Sequence, residues 1–184
     1  IVSAIGLLAG QFCSAGSRCF DLGCSLGAAA LAMHEQIQVE DAKIIAVDNS
    51  PAMIDRLRQQ LAHTSGADRI EVHCCDIRDI EITYASVVVL NFTLQFIPVD
   101  DRAALLRKIY QGMLPGGILI LSEKLACHDV RQQALQIQMH HHFKKLQGYS
   151  DLEISQKRTA LENVLIPESF DIHRKRLQTV GFDS

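Results

Sequence analysis

Five short, almost wholly apolar runs alternate along this chain with longer segments whose apolar residues recur at helical spacing. Alternation of this kind is typical of parallel strands joined by crossover helices, and strands buried on both faces must be nearly all apolar. The predicted strands are Arg18–Leu22, Lys43–Val47, Ile70–Cys75, Ala85–Leu90 and Gly117–Ser122. The pattern therefore predicts an α/β, Rossmann-like fold, with a mostly parallel sheet and helices on both faces.

The intervening segments predict the helices. Pro51–His63 carries one apolar stripe, with Ser50 as its expected cap and Pro51 at the first helical position. The next crossover begins at Asp100 and ends before Pro115-Gly116-Gly117. Further helices are expected over 129–147, 150–165 and Ser169–Val180. We expect one domain over residues 1–184, with a helical insertion at about 129–165 after the fifth strand.

Composition narrows the class of protein. The 48% apolar share of 184 residues is sufficient for a substantial core, whereas no apolar run approaches the roughly 20 residues of a transmembrane helix. The formal net charge of −3 provides no attraction for a polyanion. The six cysteines follow no C-x-x-C spacing, which fits reduced thiols. We expect a soluble, cytoplasmic protein that binds neither nucleic acid nor membrane directly.

The first predicted strand runs into the loop Phe20-Asp21-Leu22-Gly23-Cys24-Ser25-Leu26-Gly27. Methyltransferases place an acidic residue and then three alternate glycines here, and in that pattern Asp21, Gly23 and Gly27 match while Ser25 replaces the middle glycine. In the G-x-G-x-x-G pattern of dinucleotide enzymes, Ser25 and Ala28 both replace glycines, so that alternative is disfavoured. A merely tight turn between strand and helix is the remaining alternative.

Polar residues also follow the next three predicted strands. Asp48-Asn49 can accept ribose hydroxyls, Asp76 can accept an adenine amine while Ile77 covers the ring, and Asn91 follows the fourth strand. Ligands bind outside the carboxyl ends of parallel strands, so these residues should converge with Gly23 on one crevice. The simpler alternatives are that Asp48-Asn49 only begins a turn, and that Asn91 only satisfies backbone groups.

Arg158 is a charge on the apolar stripe of the predicted helix 150–165. A buried guanidinium needs a partner, and its planar fork suits a carboxylate; a structural ion pair or a snorkelling side chain remains open. No metal is expected, because the consecutive His140-His141-His142 would point in directions about 100° apart on a helix.

The chain resembles the carboxy-S-adenosylmethionine synthase family. The segments that carry the resemblance are the loop 20–27, Val47–Met53, Leu90–Phe96, Gly148–Ser150 and Ile154–Arg158. The resemblance implies a class I methyltransferase fold and a conversion of S-adenosylmethionine and prephenate to carboxy-S-adenosylmethionine and phenylpyruvate. The product would serve a tRNA carboxymethyltransferase that acts on wobble uridine.

The resemblance also assigns roles to residues. It implies that Gly23, Cys24, Ser25, Asp48, Asn49, Asp76, Ile77 and Asn91 contact S-adenosylmethionine. Asp21 and Gly27, which match the methyltransferase loop pattern, are also expected to be cofactor-binding residues. Arg158 would hold the added carboxylate, as the catalytic residue and the substrate's anchor. The family forms homodimers and has further segments at both ends, so we expect this chain to be truncated at both ends. The alternative functions are an ordinary methyltransferase acting on a small molecule or tRNA, and a non-catalytic module that binds S-adenosylmethionine.

Overall fold

A computed structural model describes residues 1–126, 129–146, 148, 150 and 164–183. Five strands form one sheet in the order β3-β2-β1-β4-β5, and every pair is parallel. They are β1 (Arg18–Leu22), β2 (Lys43–Asp48), β3 (Ile70–Cys74), β4 (Ala85–Asn91) and β5 (Met113–Ser122). The helices described are α1 (Val2–Phe12), α2 (Ala28–Gln36), α3 (Pro51–Leu61), α4 (Val99–Gly112), α5 (Val130–Leu146) and α6 (Phe170–Val180).

Successive residues of each strand enter opposite core layers. Cys19 of β1 packs with apolar residues of α1, α2 and α3, whereas its neighbour Phe20 packs with those of α4 and, at the margin, α6. Both side chains are fully buried. This arrangement confirms the predicted Rossmann-like sheet with helices on both faces. It also explains why the buried central strand β4 is almost uniformly apolar, whereas the edge strand β3 carries Glu71 and His73.

Several predicted boundaries were wrong. The fifth strand begins at Met113 rather than Gly117, because its pairing shifts register between the Ala85–Met113 pair and the Val87–Ile118 pair, which places Pro115-Gly116-Gly117 in an irregular stretch. The helix before it begins at Val99.

The turns around β2 and β3 also differ from the prediction. Ser50 makes no side-chain cap; its carbonyl accepts hydrogen bonds from the N–H groups of Met53 and Ile54 instead. The α3 helix ends at Leu61 rather than His63, and β3 ends at Cys74 rather than Cys75.

A buried ion pair joins the two segments of the chain that flank α5. Arg102 of α4 is fully buried and donates to Glu168, as well as to the carbonyls of Ile97, Gln95 and Ile166. Although burial opposes ionisation, the two arginines Arg176 and Arg102 hold the pKa of Glu168 below its usual range.

The backbone at Glu168 also pairs with the chain that leaves β5. Leu125 and Glu168 form a parallel bridge, and the N–H of Ala126 donates to the Glu168 carbonyl over 2.9 Å. The chain that leaves the sheet before α5 and the chain that returns before α6 are therefore joined to each other and to α4. Of the predicted insertion, α5 is described, and the predicted helix 150–165 lies largely outside the described residues. No helix in the described part of the chain is long and apolar enough to cross a membrane.

Candidate cofactor site

The loop between β1 and α2 adopts a left-handed backbone at three alternate positions. Gly23, Ser25 and Gly27 have φ values of +82°, +49° and +80°. Glycine adopts this region without a steric cost, whereas serine seldom does. Ser25 therefore replaces the middle glycine of the pattern while keeping the conformation that a glycine would take.

The outer glycines are required by close approaches. A Cβ on Gly23 would lie 2.4 Å from Cγ2 of Thr93, and a Cβ on Gly27 would lie 2.3 Å from Cδ1 of Leu57. Thr93 follows β4 and Leu57 lies on α3, so the loop is wedged between them. The loop is therefore built into the end of the sheet.

Asp48 joins this loop to the end of β2. Its Oδ2 accepts a hydrogen bond from the Ser25 N–H over 2.9 Å, and its Oδ1 accepts one from the Ser50 N–H over 2.8 Å. The second contact is the turn that the simpler alternative predicts, and the first brings the carboxylate against the loop. Asp48 is half-buried and Asn49 is exposed, so a ligand can reach both.

Asp21 lies beneath the loop rather than at its surface. The side chain is 1% exposed, and its Oδ2 accepts a hydrogen bond from the N–H of Ala30 in the first turn of α2. Burial raises the pKa of Asp21 to about 7. The observed contact supports the loop from within, and contact between Asp21 and a cofactor stays a prediction.

Cys24 is also buried. Its side chain packs in the layer formed with α1, α2 and α3, and burial raises the pKa of its thiol. A thiol in this state is a poor nucleophile at neutral pH. The Cys24 side chain therefore contributes packing to the loop.

Asp76 and Ile77 lie in the turn after β3. The N–H of Cys75 donates to the Asp48 carbonyl over 3.1 Å, so this turn lies beside the end of β2. Asp76 is partly exposed and is ion-paired with Arg78 over 2.7 Å, which holds the pKa of its carboxyl below the usual range. Ile77 is buried.

Asn91 ends β4 with an unsatisfied group. Its Oδ1 is buried and makes no hydrogen bond in the described structure. The following Phe92 has φ of +58°, a strained value for a bulky residue. Strained backbone and orphaned acceptors concentrate where ligands bind, so both observations favour a ligand contact for Asn91.

Glu123 supports the segment after Asn91 from the end of β5. Its two oxygens accept hydrogen bonds from the N–H groups of Thr93, Leu94 and Gln95 at 2.7–3.1 Å. Burial raises the pKa of Glu123. Glu123 was not among the predicted residues, although the signal that marks Asp48, Asp76 and Asn91, a polar residue at the end of a strand, is also present in Ser122-Glu123-Lys124.

These contacts place the ends of the five described strands at one edge of the sheet. The pairs Leu22–Val47, Asp48–Cys74 and Asn91–Ser122 are in register. The edge carries carboxylates around the loop, which suits a cationic sulfonium and an amine-bearing base better than a pyrophosphate. A buried acceptor without a partner, Asn91 Oδ1, is a further feature that such a ligand would satisfy.

Comparison with known proteins agrees with this geometry. Residues 20–117 match the family model described as a methyltransferase domain. A carboxy-S-adenosyl-L-methionine synthase of Trichlorobacter lovleyi is 57% identical over 183 residues, which are 99% of this chain and 75% of that protein. One of Photobacterium profundum is 55% identical and covers 100% and 75%. The chain belongs to the carboxy-S-adenosyl-L-methionine synthase family. This confirms the predicted family.

Solved structures share the fold of this synthase family member. An S-adenosyl-L-methionine-dependent methyltransferase of Methanococcus maripaludis, described as putative, superposes with a TM-score of 0.64 at 24% identity, covering 100% of this chain and 77% of that one. A mycolic acid cyclopropane synthase complexed with SAH gives 0.73 at 14% identity, covering 99% and 60%. The predicted class I methyltransferase fold is confirmed.

Arg158, the predicted catalytic residue of this family member, lies outside the described residues, and its role stays a prediction. Of the predicted triplet, the side chains of His140 and His141 also lie outside them. Among the described residues, no cluster of three or more His, Cys, Asp or Glu side chains is placed to hold a metal ion.

Proposed function

We propose that this protein converts S-adenosyl-L-methionine and prephenate to carboxy-S-adenosyl-L-methionine and phenylpyruvate. The observation that carries the proposal is the similarity of nearly the entire chain, at 55–57% identity, to proteins named carboxy-S-adenosyl-L-methionine synthase. The acidic edge around Ser25, Asp48 and Asp76 supports it, because it suits the adenosyl and sulfonium groups of the first substrate.

Different residues of the chain would bind different parts of S-adenosylmethionine. The loop 23–25 and the carboxylate of Asp48 would hold the ribose and the methionine part, Asp76 and Ile77 the adenine, and Asn91 a donor that satisfies its orphaned oxygen. When bound, S-adenosylmethionine supplies an activated methyl group, because a sulfonium centre acidifies the carbon attached to it. The tight packing of Gly23 on Thr93 keeps the two flanking loops at a fixed separation.

Prephenate supplies the carboxyl group in this proposal. As its ring aromatises, it loses carbon dioxide and hydroxide and becomes phenylpyruvate. The carbon dioxide carbon forms a bond to the methyl carbon, and the hydroxide takes the proton which that carbon loses, so the third product is water. Arg158 would stabilise the new carboxylate through a bidentate ion pair.

The cellular setting belongs to the same proposal. The product would feed a tRNA carboxymethyltransferase that acts on wobble uridine, and this protein would not bind the RNA itself. We propose that it acts in the cytoplasm as a homodimer, as the family resemblance implies.

The direct test incubates the purified protein with S-adenosylmethionine, with and without prephenate, and follows both products by mass spectrometry. Formation of carboxylated adenosylmethionine and phenylpyruvate only when prephenate is present supports the proposal. Methylation of an added acceptor without carboxylated product would support an ordinary methyltransferase instead. Binding without turnover in either assay would support a non-catalytic module.

A paired substitution tests the role of Arg158. Arg158→Leu should leave the Kd for S-adenosylmethionine within about threefold but reduce carboxylated product by at least about a hundredfold, since a lost charge-assisted bidentate contact costs several kcal/mol. Arg131→Leu, at an exposed position of α5, is the matched control and should retain full product formation. Equal product formation by Arg158→Leu would reject the assigned role.

A further inference from the structure

Arg78 clamps the carboxylate of Asp76 through three hydrogen bonds. Its backbone N–H and its Nε donate to Asp76 Oδ1 over 2.8 and 3.0 Å, and its Nη2 donates to Oδ2 over 2.7 Å. The pair therefore has the bidentate fork geometry in which a guanidinium holds a carboxylate in one orientation.

The clamp is itself anchored to α4. Arg78 Nη1 donates to Asp101 Oδ2 over 2.6 Å, and Lys108 Nζ donates to the Arg78 carbonyl over 2.6 Å. Isolated surface ion pairs contribute little, but a bidentate pair in a network with two further contacts holds its geometry better. Ile77, which lies between Asp76 and Arg78, is buried, and its packing against the core also holds the turn.

The number of free acceptor positions on Asp76 limits the hydrogen bonds that a ligand can donate to it. A carboxylate offers about four lone-pair positions. Two on Oδ1 and one on Oδ2 are occupied by Arg78. One position on Oδ2 remains, and the side chain is 27% exposed, so a ligand can reach it.

We propose that Arg78 is a positioning residue of the cofactor site. Arg78 holds Asp76 as a fixed anionic acceptor, and the site thereby selects a nucleoside base with an exocyclic amine over one that carries a carbonyl at that position. This inference rests on the proposed function, in which Asp76 faces the adenine. An amine donates to the free Oδ2 position. A base carbonyl at the same place would bring two acceptors together, and a carboxylate held ionised cannot relieve that by donating a proton.

A purely structural role for Arg78 makes a different prediction. If Arg78 only ties the turn after β3 to α4, its loss should weaken the binding of every nucleoside ligand by the same factor. The ratio of two dissociation constants therefore separates the two roles. Overall affinity and thermal stability alone do not separate them.

The experiment measures Kd by calorimetry for S-adenosylhomocysteine and for S-inosylhomocysteine, in which a carbonyl replaces the amine. The wild type should prefer the adenine ligand by at least about a hundredfold, since a site built to bind a polar group rejects an analogue without it. Arg78→Gln should lower that preference by at least about tenfold. Arg78→Lys should give an intermediate preference, because an ammonium cannot reproduce the fork. Arg107→Gln, at an exposed position of α4 outside this network, is the control and should retain the wild-type preference.

Each outcome either supports or overturns the role proposed for Arg78. An unchanged preference in Arg78→Gln, or a wild type without a preference, overturns the inference and leaves the prephenate reaction untouched. A preference that falls in Arg78→Gln but not in Arg107→Gln supports the inference even where no carboxylated product forms. Failure of the wild type to bind either ligand overturns the inference and the proposed function together.

Discussion

The backbone N–H of Ser25 lies 2.9 Å from Oδ2 of Asp48, so a residue of the first loop and the last residue of the second strand form one unit. The other oxygen of Asp48 holds the N–H of Ser50 at the start of α3. One carboxylate thus fixes both the loop and the turn that border the candidate site. Its acceptor positions that remain free are the ones available to ribose hydroxyls.

Asp48→Asn should weaken the binding of S-adenosylmethionine. An amide retains one acceptor oxygen, so one of the two backbone contacts is lost and the charge that favours a cationic ligand disappears. We expect Kd to rise about ten- to a hundredfold by calorimetry, since each 1.4 kcal/mol is about tenfold. Asp55→Asn, at an exposed position of α3, is the control. A Kd within twofold of wild type for Asp48→Asn would show that Asp48 is only a turn residue.

The effect of a substitution at Ser25 on stability should depend on whether the new residue tolerates the left-handed backbone, rather than on the loss of the serine hydroxyl. At φ of +49°, glycine is unstrained, whereas a β-branched residue is a severe outlier. Ser25→Gly should therefore retain binding with little change in Tm, and Ser25→Val should lower the free energy of unfolding by about 1–3 kcal/mol. Thermal unfolding followed by circular dichroism measures both. Equal stability of the two variants would contradict the strained geometry.

Asp21 should make the protein less stable as the pH rises towards neutrality. Its pKa is about 7 in the folded protein and near 3.8 unperturbed, so between these values the folded state holds a proton that the unfolded state lacks. Stability is then full below about pH 4 and is lost progressively up to about pH 7. Asp21→Asn cannot ionise, and its oxygen can still accept the N–H of Ala30.

Urea unfolding at pH 5 and pH 8 tests this linkage. The free energy of unfolding of the wild type should fall by on the order of 2 kcal/mol more than that of Asp21→Asn over this interval. Asp68→Asn, at an exposed position, should follow the wild type. A wild type and an Asp21→Asn variant with the same pH dependence would show that Asp21 ionises normally.

Arg102 should be among the most sensitive residues of the fold. Arg102→Met would leave Glu168 with one arginine partner and would remove the guanidinium donors from the Ile97 and Ile166 carbonyls. Breaking a buried pair from one side costs about 3–5 kcal/mol in the free energy of unfolding. Urea unfolding, with the exposed Arg107→Met as control, measures the loss; a change below about 1 kcal/mol would mean that the pair is not buried in solution.

The sheet and the loop could be predicted because each depends on local pattern. Strands buried on both faces must be apolar, and glycine is the residue that adopts the left-handed conformation of positions 23 and 27 without strain. The order of the strands and the irregular start of β5 could not be predicted in this way. They depend on pairings such as Ala85 with Met113, between residues far apart in sequence.

The direction of each side chain was the main feature of the candidate site that the sequence could not predict. The sequence places Asp21 and Asp48 alike, each at the end of a strand, yet Asp21 turns inward to α2 and Asp48 accepts from the loop. Arg78 was missed for a related reason. An arginine two residues after an aspartate looks like an exposed charge, and only the structure shows its fork on Asp76.

Isotope tracing shows whether the added carboxyl group comes from prephenate, as we propose. Prephenate labelled with carbon-13 in the ring carboxylate would be supplied with unlabelled S-adenosylmethionine, and the nucleoside product analysed by mass spectrometry. We expect a carboxylated adenosylmethionine that carries one labelled carbon. An unlabelled carboxylated product, or labelled carbon dioxide with unchanged S-adenosylmethionine, would contradict it.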